Sequence, residues 1–185
     1  MSTVMQRRIQ GIESGVMQRR TQRMETDPIT GLPGRGCFYE LGRKELSFAQ
    51  RFGIEIAVLL IQVDDFEHII QSHGGPVAKQ VLRKLAKYIE EAVSPEDTVT
   101  RLGTCCFAVV AESIGNVTIK QTATKIIDRV RHTRFVYNDD RLRFTVSIGI
   151  GAPAGQLVDK FEDVVELVGQ RMLVASASGG NKIVF

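Results

Sequence analysis

The stretch TRLGTCCFAVV, residues 100–110, places two short apolar runs around Gly103 and Thr104 and sets Cys105 and Cys106 directly after the turn. A strand–turn–strand of this kind is a common mount for catalytic groups. Yet Gly103, Thr104, Cys105, Cys106 and Phe107 include no carboxylate, histidine or lysine. Adjacent thiols invite a redox reading. Neighbouring residues of a strand point to opposite faces, so a Cys105–Cys106 disulfide would be strained, and buried, inert thiols fit better. With Cys37 there are three cysteines, too few for a paired framework, which points to a reducing cytoplasm. Their spacing fits no zinc pattern, and His68, His73 and His132 sit near none of them.

The elements that must position this turn follow from composition and periodicity. A chain of 185 residues suits one domain plus an appendage, and 43% hydrophobic residues argue against intrinsic disorder. No apolar run approaches the roughly 20 residues of a membrane span, and MSTVMQRRIQ lacks the apolar stretch of a signal peptide. The net charge of +3 belongs to residues 1–26, which hold five arginines and two glutamates; the remainder balances 19 basic against 19 acidic residues. The body therefore has no general attraction for nucleic acid.

Residues 1–26 are expected to form a helical connector. Met5, Ile9, Ile12 and Val16 have coiled-coil spacing, but Arg19 and Arg23 interrupt the seam and Gly11 and Gly15 weaken the helix. A weak homodimer through this helix is one expectation, and a solvated arm is the other. The segment lacks the aromatics of an interfacial helix, so membrane insertion is not expected. The Pro/Gly loop TDPITGLPGRG separates it from a body over 27–185.

In the body, residues 38–52 read as a helix. IEIAVLLIQV, residues 54–63, reads as a central strand buried on both faces. A helical turn over 68–73 breaks at Gly74-Gly75-Pro76, and a second helix runs to about Ala92. Residues 98–102 and 105–111 form the hairpin, and a helix spans 119–130. RFVY and LRFTVSIGIGA read as a second strand pair, residues 161–177 as a helix and KIVF as a closing strand. This order predicts an α+β ferredoxin-like sandwich, of the nucleotidyl-cyclase palm type, with a mostly antiparallel sheet flanked by helices.

Several stretches together resemble the GGDEF domains, the diguanylate cyclases of bacterial signalling. DPITGLPGR (27–35) resembles the family's D-x-L-T-G-L-x-N-R, and QVDDF (62–66) its D-x-D-x-F. RLGTCCF (101–107) lies where the family has R-x-G-G-D-E-F; FTVSIGIG (144–151) and ASASGGNKIVF (175–185) resemble its later motifs. The resemblance implies an enzyme that condenses two GTP molecules, with carboxylates holding divalent metal beside the triphosphate. Those carboxylates correspond here to Gln62 and Cys105, and the signature's glutamate to Cys106, so Mg²⁺ binding and turnover are not expected.

The family's nucleotide contacts are similarly replaced, by Ile70 and Lys79 for the base and by Glu67 and Ser176 for phosphate. Asp64, Asp65, Phe66 and Gly74 are the expected remnant of the nucleotide site. An inhibitory product site, R-x-x-D in the family, is half present as Ser94 and Asp97. The resemblance implies a degenerate, cytoplasmic regulatory domain of cyclic di-GMP signalling, whose partners are other domains of the same polypeptide or a signalling protein. GTP binding without turnover and an active cyclase are the alternatives.

Overall fold

The computed structural model describes residues 25–113, 116–137, 140–152 and 158–185. The expected helix over 1–26 lies outside the described residues except for Glu25 and Thr26. The elements run α1 (Arg35–Phe52), β1 (Glu55–Val63), α2 (Phe66–Ala92), β2 (Thr98–Arg101), β3 (Cys106–Ser113), α3 (Asn116–His132), β4 (Phe135–Tyr137), β5 (Asp140–Leu142), β6 (Val146–Gly151), α4 (Phe161–Ala177) and β7 (Ile183–Val184).

Strand β1 is the centre of the sheet, whose order is β2-β3-β1-β6-β7. It pairs antiparallel with β3 on one side and β6 on the other, and only the β6–β7 pairing is parallel. Its apolar run serves two cores because alternate residues face opposite ways. Ala57, Leu59, Ile61 and Val63 join a cluster with residues of α2 and α3. Ile56, Val58 and Leu60 join a second with residues of α1 and α4. Sheet and helices thus form the expected α+β sandwich.

The two helices expected between 68 and 92 are present, joined within Phe66–Ala92 at a break where Gly74 takes φ 82° and ψ 166°. Pro76 is tolerated because it falls in the first turn after the kink, where its missing N–H costs nothing. One expectation needs adjustment: the second strand pair is not one pair. Strand β5 pairs only with β4, in a separate two-stranded ribbon. The chain breaks at Arg143–Thr145, burying Phe144 in the α2/α3-side core, and re-enters the main sheet as β6. A continuous apolar pattern hid this change of sheet.

Helix α4 lies directly on β6. A Cβ at Gly149 would stand 2.2 Å from the Val168 carbonyl oxygen and 2.6 Å from the Met172 nitrogen, so the strand motif SIGIG is a packing surface. No helix among the described residues is long and apolar enough to cross a membrane.

Candidate functional site

The site lies where β1 ends beside the β2–β3 turn. Gln62 pairs with Cys106 across the β1–β3 ladder and with Ser147 across β1–β6. The Val63 amide donates to the Cys105 carbonyl at 3.0 Å. The structure therefore brings together the three positions picked out by sequence, Gln62, Cys105 and Cys106, around one strand end.

Strand alternation separates the two thiols as expected. Cys105 packs against the α2/α3-side core and Cys106 against the α1/α4-side core, and both are free. Burial, then the neighbouring Cys105, pushes the Cys106 thiol up to about 12. Its Sγ lies 4.0 Å from Met172 Sδ. Burial also raises the Cys105 thiol, with Asp64 adding to the effect and Arg101 opposing it. Both groups are neutral at physiological pH, and the nucleophile in thiol chemistry is the thiolate. In the folded protein at pH 8, Cys106 should therefore react with iodoacetamide at least about tenfold more slowly than after unfolding. Peptide mapping would check this; equal rates in the two states would contradict the packing described.

The turn itself is held by Arg101, which is only 8% exposed. Its Nε donates to the Gly103 carbonyl at 3.0 Å, and a terminal nitrogen donates to the Thr104 carbonyl at 2.8 Å. The other terminal nitrogen meets Asp27 Oδ1 at 2.7 Å. The same Asp27 oxygen accepts from the Thr30 amide and hydroxyl, both at 2.8 Å. The Arg101 amide donates to the Pro33 carbonyl at 2.9 Å. The leading loop and the signature turn are thus one hydrogen-bonded unit. Burial raises the Asp27 carboxyl, but the bonds from Arg101 and Thr30 outweigh it and hold the group below its ordinary 3.8. Sequence reasoning quoted Asp27 and Arg101 within motifs and gave neither a role. It also missed the cavity of about 690 Å³ between loop and turn, bordered by Glu25, Asp27, Arg35, Glu40, Arg101 and Thr104.

The expected nucleotide-site remnant divides. Asp64 is 7% exposed and turned into the fold. It accepts from Ser147 Oγ at 2.6 Å, Thr145 Oγ1 at 2.7 Å and the Asn181 amide at 2.8 Å. Phe66 is a core residue and Gly74 forms the α2 kink. Asp65 remains exposed, in left-handed backbone at φ 47°, just ahead of α2. Glu67, Ile70 and Lys79 are exposed along α2, while half-buried Ser176 uses its carbonyl to accept from the Gly179 and Gly180 amides. Ser94 and Asp97 close a small turn: the Ser94 amide donates to Asp97 Oδ2 at 2.9 Å, and the Asp97 amide to the Ser94 carbonyl at 3.0 Å.

The donor set at the strand end does not fit a hard divalent cation. Such an ion takes several oxygen ligands, usually carboxylates. Gln62 offers one neutral oxygen, and neutral thiols are poor ligands for it. Among the described residues no three His, Cys, Asp or Glu side chains converge on a common point.

Comparison with known proteins settles the family. The family model for the diguanylate cyclase GGDEF domain matches residues 24–182. The chain belongs to the GGDEF family. The diguanylate cyclase DosC of Escherichia coli K12 is 28% identical over 159 residues, covering 85% of this chain and 34% of DosC. The diguanylate cyclase DgcP of Pseudomonas aeruginosa is 24% identical over 167 residues, covering 90% of this chain and 25% of DgcP. This GGDEF chain therefore spans about a third or less of these relatives. Among solved structures, diguanylate cyclase SiaD of Pseudomonas aeruginosa, in complex with its activator SiaC, superposes with a TM-score of 0.84 at 23% identity. That match covers 98% of this chain and 69% of SiaD. The GGDEF domain of DgcB from Caulobacter crescentus, in complex with c-di-GMP, gives 0.80 at 21% identity, covering 86% of this chain and 91% of that one. At these identities the two structures establish the fold, and the relatives place it in an enzymatic family of cyclic di-GMP signalling.

Proposed function

We propose that this GGDEF domain is non-catalytic and serves as a regulatory module that docks other domains of its polypeptide or a separate signalling protein. The observation that carries this reading is the Gln62–Cys106 pair on the β1–β3 ladder. A cyclase needs carboxylates at this strand end to hold metal beside a triphosphate, and here a neutral amide faces a neutral, packed thiol. Asp64, the nearest acid in sequence, is committed to Ser147, Thr145 and Asn181. The role needs no metal cofactor. SiaD, a relative in fold, is bound by an activator protein, in keeping with protein docking on such a scaffold.

The test is product analysis with GTP and Mg²⁺ or Mn²⁺. No cyclic di-GMP should form, whereas product accumulating in proportion to purified protein would overturn the proposal. GTP titration in the same buffers separates a docking module from a domain that binds GTP without turnover. Restoring the carboxylates through Gln62→Asp, Cys105→Asp and Cys106→Glu should not by itself give activity, because Glu67, Ile70, Lys79 and Ser176 still stand where the family has its nucleotide contacts. Cys106→Glu should also cost about 2–4 kcal/mol, since it overfills the contact with Met172 and buries a carboxyl group. Thermal unfolding measures that cost.

A further inference from the structure

The body is neutral as a whole but not locally. Residues 116–152 hold seven basic and three acidic residues, and the rest of 27–185 holds 12 basic and 16 acidic. Several of the basic residues already have partners: Arg129 pairs with Glu91, and Arg131 with Asp128 and Asn181. The β4–β5 ribbon is different. Phe135 lies opposite Leu142, and both are buried against the core. Alternation puts Val136 and Arg141, also directly opposite, on the outer face. Arg134 and Arg143 flank them and are exposed, and Val136 is 60% exposed. Outside the ribbon's own turn at 138–140, no acidic side chain among the described residues lies within ion-pair distance of Arg134, Arg141 or Arg143. The ribbon therefore presents three exposed arginines around an exposed valine.

The complement is on the same chain. At the start of α4, Asp159, Asp163 and Glu166 are exposed around Leu167, itself 36% exposed. Glu162 of this turn is occupied by Arg43, and Lys160 reduces the negative charge without reversing it. Helical spacing puts Asp163, Glu166 and Leu167 on one side of α4. The ribbon packs on the α2/α3 side of the sheet and α4 on the other. One molecule cannot close the two patches on each other.

We propose that this chain associates head to tail with further copies of itself, the arginine face of the β4–β5 ribbon of one copy docking on the acidic face of α4 in the next. Docked head to tail, with each copy offering its two patches to two different neighbours, the contact builds a row or a ring of molecules. A contact built on so few charged side chains is weak, and salt screens it. It is independent of whether the domain turns over GTP.

Sedimentation velocity on the full chain tests this. At about 50 mM salt the weight-average sedimentation coefficient should rise with protein concentration, and at about 500 mM the rise should vanish. Arg141→Glu and Asp163→Arg should each weaken the association about tenfold or more at low salt. An equimolar mixture of the two variants should recover it, because each then supplies the patch the other lacks. A wild-type chain that stays monomeric at low salt overturns the proposal. So does association that survives both variants or high salt, which would belong to another surface such as residues 1–26. A mixture that fails to recover association excludes the head-to-tail contact. Wild-type protein that binds poly-glutamate through Arg141 without associating with itself assigns the ribbon to a different acidic partner, and the proposal fails.

Discussion

Arg101→Ala should destabilise the domain by about 3–5 kcal/mol, the usual cost of removing one partner from a buried ion pair. The side chain makes three bonds at once, to Asp27, Gly103 and Thr104. Its loss leaves Asp27 without its counter-charge and two turn carbonyls without their donor. For a domain of this size the melting temperature should fall by about 6–20 °C. Arg101→Lys keeps the charge but not the planar fork, so it should fall between the wild type and the alanine variant. The pH dependence gives an independent check. The Asp27 carboxyl sits below its ordinary 3.8 in the folded protein. A depressed carboxyl contributes stability that is present above its unfolded pKa and lost as pH falls through the folded value. In the wild type this contribution therefore disappears only below about pH 4. Arg101→Ala has less of it to lose, so its stability should decline less steeply in that window. Equal melting temperatures, or parallel acid curves, would show that the pair carries no such weight.

What could be read from the sequence and what could not divide along physical lines. IEIAVLLIQV was legible as a central strand because a nine-residue strand buried on both faces needs a continuous apolar run, and β1 is such a strand. The α2 break was legible because Gly-Gly-Pro cannot continue a helix. The change of sheet between β5 and β6 was not, since Phe144 and Val146 are both core residues and periodicity looks unbroken across them. At the site, the missing carboxylates were visible as residue types, and the opposite facing of Cys105 and Cys106 followed from strand alternation. The Arg101–Asp27 pair spans 74 positions, and no local pattern predicts a contact of that separation.

Asp64 offers the sharpest contrast between a motif reading and a structural one. As a remnant of a nucleotide site, its removal would change ligand binding and leave stability alone. As the acceptor of three hydrogen bonds from Thr145, Ser147 and Asn181, it fastens the end of β1 to the start of β6 and to the turn before β7. That turn is shaped around it. Gly180 has φ 65°, and a Cβ there would lie 2.7 Å from Asp64 Oδ2, so glycine satisfies both the backbone and the approach of the carboxylate. Hydrogen bonds to a charged acceptor contribute about 1.5–3 kcal/mol each, and partners left buried without one add a penalty. The contributions are coupled and do not sum, so Asp64→Ala should cost about 3–5 kcal/mol. Asp64→Asn keeps the shape but gives up the charge, and should cost roughly half as much. Urea unfolding of the three proteins checks both values. Ser147 is fully buried, so Asp64→Ala/Ser147→Ala, which removes the stranded hydroxyl together with its acceptor, should cost less than the sum of the two single variants. A stable Asp64→Ala protein with altered GTP binding would return Asp64 to the nucleotide site.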